Sequence, residues 1–272
     1  MNAPILEVQN VTMSFGGIVA NRGVNFSVAK GGITALIGPN GAGKTTMFNC
    51  ITGFYRASEG RIVLNGPQGP RDIGAYMDKP ITGGSHQVTR AGIARTFQNI
   101  RLFKEMSVVE NLLVAQHLAT RNGLLSGIFK TSAFRKAETE AVDRAYYWLG
   151  QMNLLEDANR LAGELPYGRQ RRLEIARAMC TGPQLICLDE PAAGLNPSET
   201  HELSQIIQRL CAEQELTVLV IEHDMGLVMR ISNHIVVLDH GEVIADGTPE
   251  QVANDPAVIA AYLGVSEEEV QS

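Results

Sequence analysis

The run Gly38-Pro39-Asn40-Gly41-Ala42-Gly43-Lys44-Thr45, followed by Thr46, has the residue types and spacing of a phosphate-binding loop. Its glycines let the backbone wrap an anionic group closely with N–H groups turned inward. Lys44 offers a mobile positive charge to β- and γ-phosphates, and the Thr45 hydroxyl can ligate Mg²⁺. A second set is acidic: the apolar run Leu185-Ile186-Cys187-Leu188 ends in Asp189-Glu190-Pro191. At the carboxyl edge of a parallel sheet both acids would lie beside the ligand crevice. Asp189 suits Mg²⁺, directly or through water, and Glu190 suits polarising an attacking water. Alone, such a pair reads as a solvated turn; beside a phosphate loop it predicts hydrolysis of ATP with Mg²⁺. Leu216–Ile221 likewise ends in Glu222-His223-Asp224, and Phe97-Gln98 follows a Gly/Ala-rich turn. A lone His or Gln in such settings is more often structural or exposed, and spacing alone assigns neither.

These residues need elements to hold them. Ile33–Ile37 is a nearly continuous apolar run, as a strand buried on both faces requires, and it leads through Gly38 into a helix predicted from Lys44 to about Ile51. Ile5–Val8, Val24–Val28 and Arg61–Asn65 read as strands between turn signals. The stretch 66–92 is rich in Gly and Pro and reads as a loop, though its length suggests a short helix within it. From Val108 to Leu155 the pattern is helical, with Ala141, Ala145, Trp148, Leu149 and Met152 on one face and no convincing strand. Strand–helix alternation then resumes: a helix over Gly168–Cys180, a strand at Gln184–Leu188, a helix over Glu199–Cys211, then strands at Leu216–Ile221 and Ile235–Leu238. That alternation predicts an α/β fold, a parallel sheet with helices on both faces.

Composition narrows the function. Of the 272 residues, 44% are hydrophobic and 19% charged, a globular profile with a substantial core. The net charge of −6 provides no overall basic field for nucleic acid or anionic lipid. Cys50, Cys180, Cys187 and Cys211 form no close pair, so they read as reduced thiols in a cytosolic setting. The N-terminus lacks the pattern of a signal peptide, and no apolar run reaches the ~18 residues of a membrane span. Any membrane role is expected through a partner.

In their order along the chain, these features resemble the ATP-binding subunit of an ABC transporter. Phe15 resembles the aromatic that stacks on adenine, Gly38–Thr46 the Walker A loop, Gln98 the Q-loop glutamine, Leu185–Glu190 Walker B with its catalytic Glu, and His223 the switch histidine. Leu165-Pro166-Tyr167-Gly168-Arg169 stands in the place of the signature that closes on a partner's ATP, and Ala193–Asn196 in the place of the D-loop. More narrowly, ARTFQNIRLF (Ala94–Phe103), YGRQRRLEIAR (Tyr167–Arg177), DEPAAGLNP (Asp189–Pro197), IEHDM (Ile221–Met225) and the ending Gly247–Gly264 resemble the LivG-type ATPases of bacterial branched-chain amino acid importers. The resemblance implies a P-loop NTPase with a RecA-like core and β subdomain (1–98 and 166–250), a helical subdomain (about 99–165) and a tail (251–272). It implies Thr45, Gln98 and Asp189 as Mg²⁺ ligands, and Lys44, Glu190 and His223 as catalytic residues. It also implies a head-to-tail sandwich with a second, related ABC ATPase, docked beneath two transmembrane permeases and fed by a periplasmic binding protein. The expected location is the cytoplasmic face of the bacterial inner membrane.

Two departures from the general pattern stand out. Pro166 replaces a Ser and has neither hydroxyl nor N–H, so it cannot donate to an opposite γ-phosphate. Asn196 replaces the usual D-loop Asp. Both predict a weaker site completed by this signature, as in an asymmetric heterodimer. A lipopolysaccharide-export ATPase, or an importer of urea or amides, shares much of the pattern; Tyr167-Gly168 and the stretch Ala119–Lys136 favour the amino acid importer. A soluble ABC ATPase acting on DNA or ribosomes would resemble tandem cassettes or carry long coiled coils, and a small-molecule kinase would leave the signature helix and His223 unexplained.

Overall fold

The computed structural model describes residues 4–67, 69–78, 83–117 and 132–263. In order, the chain forms β1 (Pro4–Phe15), β2 (Ile18–Ala29), β3 (Ile33–Ile37), α1 (Lys44–Ile51), β4 (Glu59–Gly66), β5 (Gly69–Asp72), α2 (Ser85–Ala91) and β6 (Ile93–Arg95). The helices α3 (Val108–His117), α4 (Ser132–Gln151) and α5 (Tyr167–Met179) follow, then β7 (Leu185–Asp189), α6 (Pro197–Gln214), β8 (Thr217–Ile221) and α7 (Met225–Ile231). Strands β9 (His234–Asp239) and β10 (Glu242–Gly247) precede α8 (Pro249–Ala253) and α9 (Pro256–Leu263).

Two sheets result. An antiparallel sheet has the order β2-β1-β4-β5, and a six-stranded sheet the order β10-β9-β3-β8-β7-β6. In the second, β9, β3, β8, β7 and β6 run parallel, and β10 pairs antiparallel at the edge. The central strands are buried at every position, which explains their unbroken apolar runs. Their side chains alternate between two cores. Leu36, Leu219 and Leu238 meet Met47 and Phe48 of α1 together with Leu6 and Val28 of the antiparallel sheet. Ala35, Ile37 and Val220 face a larger core built with Leu173 of α5, Ile206 of α6 and Leu227 of α7. Val108 and Leu112 of α3, and Ala145, Trp148 and Leu149 of α4, extend that second core. The face expected to carry helices alone is therefore shared between helices and a second sheet.

Element ends follow capping chemistry. Asn196 accepts the Glu199 N–H and Glu199 accepts the Asn196 N–H, a capping box with Pro197 at the first position of α6. Thr248 and Gln251 repeat the arrangement on α8. Asn196 is thus accounted for as a helix cap, a role in which Asn and Asp are equivalent.

Some elements differ from the sequence reading. β1 spans 12 residues, not Ile5–Val8, because irregularities between Val8 and Val11 and at Met13 break the alternation by which a strand is recognised. Asn10 sits there with φ 52°. The stretch 66–92, read as a loop with a short helix inside it, contains that helix as α2 and also the strand β5, which the reading did not include; residue 68 and residues 79–82 lie outside the described set. Most of Ala119–Lys136 also lies outside it, as do residues 264–272.

Candidate active site

The phosphate loop joins the carboxyl end of β3 to the start of α1. Its backbone is clamped from two sides, so glycine is needed for clearance as well as for φ. At Gly38 (φ 146°) a Cβ would lie 2.0 Å from the Leu238 carbonyl oxygen. At Gly43 (φ 94°) it would lie 2.6 Å from the Ala20 carbonyl oxygen and 2.5 Å from Asn21 Nδ2. The fully buried Asn21 donates through Nδ2 to the Gly43 carbonyl at 3.3 Å. Lys44 Nζ donates to the carbonyls of Gly38 and Pro39, both at 2.8 Å. Burial holds the Lys44 ammonium below its ordinary pKa, with the Glu190 charge pulling the other way. Ala42 is buried, Thr46 half-buried, and Asn40, Gly41 and Thr45 are exposed on the rim.

Asp189 ends β7 and is buried. Its Oδ2 accepts from Arg95 Nη2 at 2.7 Å, both side chains being nearly sealed from solvent. Arg95 is itself fixed: Nη1 donates to Asn49 Oδ1 (2.6 Å) and Thr52 Oγ1 (3.0 Å), and the guanidinium lies against the rings of Phe48, Phe54 and Phe97. Glu190, next along, takes a left-handed backbone (φ 46°) and donates its N–H to the Ile221 carbonyl at 2.9 Å. A non-glycine residue held in that region is strained, and such strain gathers at functional sites. Gln98 Nε2 donates to Glu190 Oε2 at 2.7 Å, and His223 Nδ1 stands 3.9 Å from the same oxygen. Residues from three separate loops thus meet at one carboxylate beside Lys44, although spacing alone assigned neither Gln98 nor His223. Phe15, exposed at the end of β1, packs edge-on against Tyr55 with ring centroids 5.2 Å apart.

The signature segment faces elsewhere. Leu165 is buried in the larger core. Pro166 precedes α5 as its N-cap and offers no side-chain cap, which leaves the first-turn amides without that partner. The exposed Tyr167 ring lies 3.2 Å from where a Cβ on Gly194 would sit, and its hydroxyl accepts from Arg171 Nη2 at 3.4 Å. Gly168 is buried, and a Cβ there would lie 2.6 Å from Glu199 Oε1. Its lack of a side chain thus serves the α5–α6 contact. Arg169 pairs with Asp157. Among the described residues no hydrogen bond or ring contact joins Leu165–Arg169 to Gly38–Thr46.

A buried ion pair ties α5 to the loop bearing Gln98. Arg171 donates to the carbonyls of Phe97 (2.6 Å) and Gln98 (2.7 Å) and to Glu174 Oε2 (2.8 Å). Glu174 Oε1 in turn accepts the N–H groups of Phe97 (3.4 Å) and Arg101 (3.3 Å). Sequence reading assigned no role to Arg95, Arg171 or Glu174. The available signal was the i, i+3 spacing of opposite charges at 171 and 174, which places both on one helix face.

Among the described residues no group of three His, Cys, Asp or Glu side chains could hold a metal. The groups present at the site, the Asp189 carboxylate with the Thr45 hydroxyl, fit Mg²⁺ arriving with a nucleotide, because Mg²⁺ is usually bound by one or two carboxylates plus substrate phosphates. Arg95 engages one Asp189 oxygen, and Gln98 uses its amide nitrogen on Glu190, keeping Oε1 as an acceptor.

The family profile described as ABC transporter matches residues 21–193, and one described as Branched-chain amino acid ATP-binding cassette transporter matches residues 242–268. The chain is 55% identical over 264 residues to the high-affinity branched-chain amino acid transport ATP-binding protein BraF of Pseudomonas aeruginosa, covering 97% of this chain and 99% of the relative. It is 52% identical to the corresponding protein LivG of Escherichia coli, with the same coverage. Among solved structures, the ADP conformation of MJ1267, an ATP-binding cassette of an ABC transporter, superposes with a TM-score of 0.80 at 36% identity, covering 97% of this chain and all of the other. Among the described residues no helix is long and apolar enough to cross a membrane.

Proposed function

This chain belongs to the ATP-binding subunits of ABC transporters, and from that premise we propose that it powers import of branched-chain amino acids through partner permeases. The observation that carries the substrate class is identity above one half, along 97% of the chain, with a relative named for branched-chain amino acid transport.

Thr45, Asp189 and Gln98 would hold Mg²⁺, which would neutralise charge on the phosphates. Lys44 exchanges its two carbonyl acceptors for phosphate oxygens, and the loop N–H groups and the start of α1 hold the rest of the charge. Phe15 stacks on the adenine. Glu190 orients the attacking water and takes its proton, and His223 contacts the γ-phosphate. Gln98 couples this centre to the permease. The signature Leu165–Arg169 serves the other ATP, on a second related ATPase, a reading supported by its having, among the described residues, no hydrogen bond or ring contact with its own phosphate loop. With Pro166 lacking any donor, that other site receives fewer contacts than this one, which suits a heterodimer. The assembly sits on the cytoplasmic face of the inner membrane, fed by a periplasmic binding protein.

The test is ATPase activity of the complex reconstituted with its permeases and binding protein. Leucine, isoleucine or valine should stimulate turnover. Stimulation by urea or short amides alone would overturn the substrate class.

A further inference from the structure

Glu222, the neighbour of His223, is a buried acid with no role in the chemistry above. It is 1% exposed, yet it is held by backbone from two different loops. Oε1 accepts the Ala192 N–H at 2.8 Å, and Oε2 accepts the His223 N–H at 3.2 Å. The Asp224 N–H also faces the carboxylate. Ala192 lies two residues after Glu190, within a turn closed by the Ala193 N–H on the Glu190 carbonyl at 3.1 Å. Asp224 is anchored on its far side, where Oδ1 accepts the Leu227 N–H at 3.0 Å as the cap of α7.

We propose that Glu222 is a positioning residue for hydrolysis: one buried carboxylate staples the turn behind Glu190 to the backbone of His223. The group that orients the attacking water and the group that contacts the γ-phosphate are thereby set by a single side chain. The proposal rests on the reading of Glu190 and His223 given above. Three considerations carry it. Glu190 occupies a left-handed backbone, so its side-chain direction depends on the turn remaining formed. A carboxylate is an acceptor at both oxygens, which suits a site lined by three backbone N–H groups, with His223 Nδ1 4.0 Å from Oε2; a carboxamide would turn donors toward donors. Ala193–Asn196 begins one residue after Ala192, so displacement of that loop is carried through the same carboxylate to His223. Burial pushes the Glu222 carboxyl above the usual range while the three N–H groups pull it back.

The test uses the complete transporter complex carrying E222Q or E222D, the latter too short to span both loops. Each should lose kcat by about tenfold or more, with KM for MgATP and the Kd of a fluorescent ATP analogue held within about threefold. A role confined to folding would not divide kcat from nucleotide affinity in this way. In single-turnover hydrolysis, E222Q combined with H223A should lose less than the product of the two separate losses, because Glu222 acts partly through His223. If E222Q fails to assemble, E222D carries the same comparisons. A kcat within about threefold of wild type, an equal loss of nucleotide affinity, or fully multiplicative losses would overturn the proposal. An inactive E190Q complex beside fully active Glu222 variants would sink this inference alone, whereas normal turnover by E190Q would sink the reading beneath it.

Discussion

Replacing Arg171 with Met leaves the Glu174 carboxylate buried without its ion-pair partner and removes the donors that hold the Phe97 and Gln98 carbonyls. Arg171 is fully buried and Glu174 2% exposed, so water cannot screen the change. Breaking a buried pair in this way costs about 3–5 kcal/mol. At about 2–4 °C per kcal/mol for a chain of this size, R171M should melt about 6–20 °C below wild type. The deficit should depend on pH. Burial already raises the Glu174 pKa above the usual carboxylate range, while Arg171, Arg177 and two backbone N–H groups lower it. Loss of Arg171 raises it further. A group with a raised folded-state pKa contributes stability that is present below its unfolded pKa and lost as pH rises through the folded value. R171M should therefore be closest to wild type near about pH 5 and furthest from it near about pH 8. R171M/E174L, which removes both charges, should melt above R171M. Calorimetry or thermal circular dichroism at both pH values reads all of this. An R171M melting point within about 2 °C of wild type at the higher pH, or a double variant less stable than the single, would refute the reasoning.

Two further outcomes follow from the same geometry. G43A should lose nucleotide affinity by tenfold or more, on the order of 1.4 kcal/mol, in an equilibrium binding titration, because its Cβ cannot clear the Ala20 carbonyl and Asn21 at a positive φ. Burial pushes all four thiols, Cys50, Cys180, Cys187 and Cys211, up to about 12, so the folded chain should react slowly with a thiol-disulfide reagent near about pH 8 and rapidly once unfolded. Rapid reaction of Cys187 in the folded state would contradict its burial.

The nucleotide end of the fold was legible because its chemistry and its topology speak in the same residues. Ile33–Ile37 is apolar throughout since both faces are covered, and the glycines after it serve both phosphate and clearance. The helix over Glu199–Cys211 was equally plain, because one face of α6, with Leu203, Ile206, Ile207 and Leu210, meets the core. β6 has only three residues, too few for any period. β10 is an edge strand with mostly half-buried and exposed positions, so no apolar pattern marks it. Buried charge was hardest to read. Arg95, Arg171, Glu174 and Glu222 look like surface residues in sequence; the i, i+3 spacing pairs Arg171 with Glu174, but only the fold buries that pair and brings Asp189, 94 positions away, to Arg95 and the Ala192 N–H to Glu222. The convergence of Gln98, Glu190 and His223 is of the same kind, visible once β6, β7 and β8 lie side by side.

The most direct measurement is single-turnover hydrolysis of MgATP by the E190Q chain assembled with its partners. The account predicts nucleotide affinity within a few-fold of wild type, ATP retained in the complex, and a hydrolysis rate lower by about 10²- to 10⁴-fold, the range a positioned general base supplies. A wild-type rate of phosphate release from E190Q would contradict it.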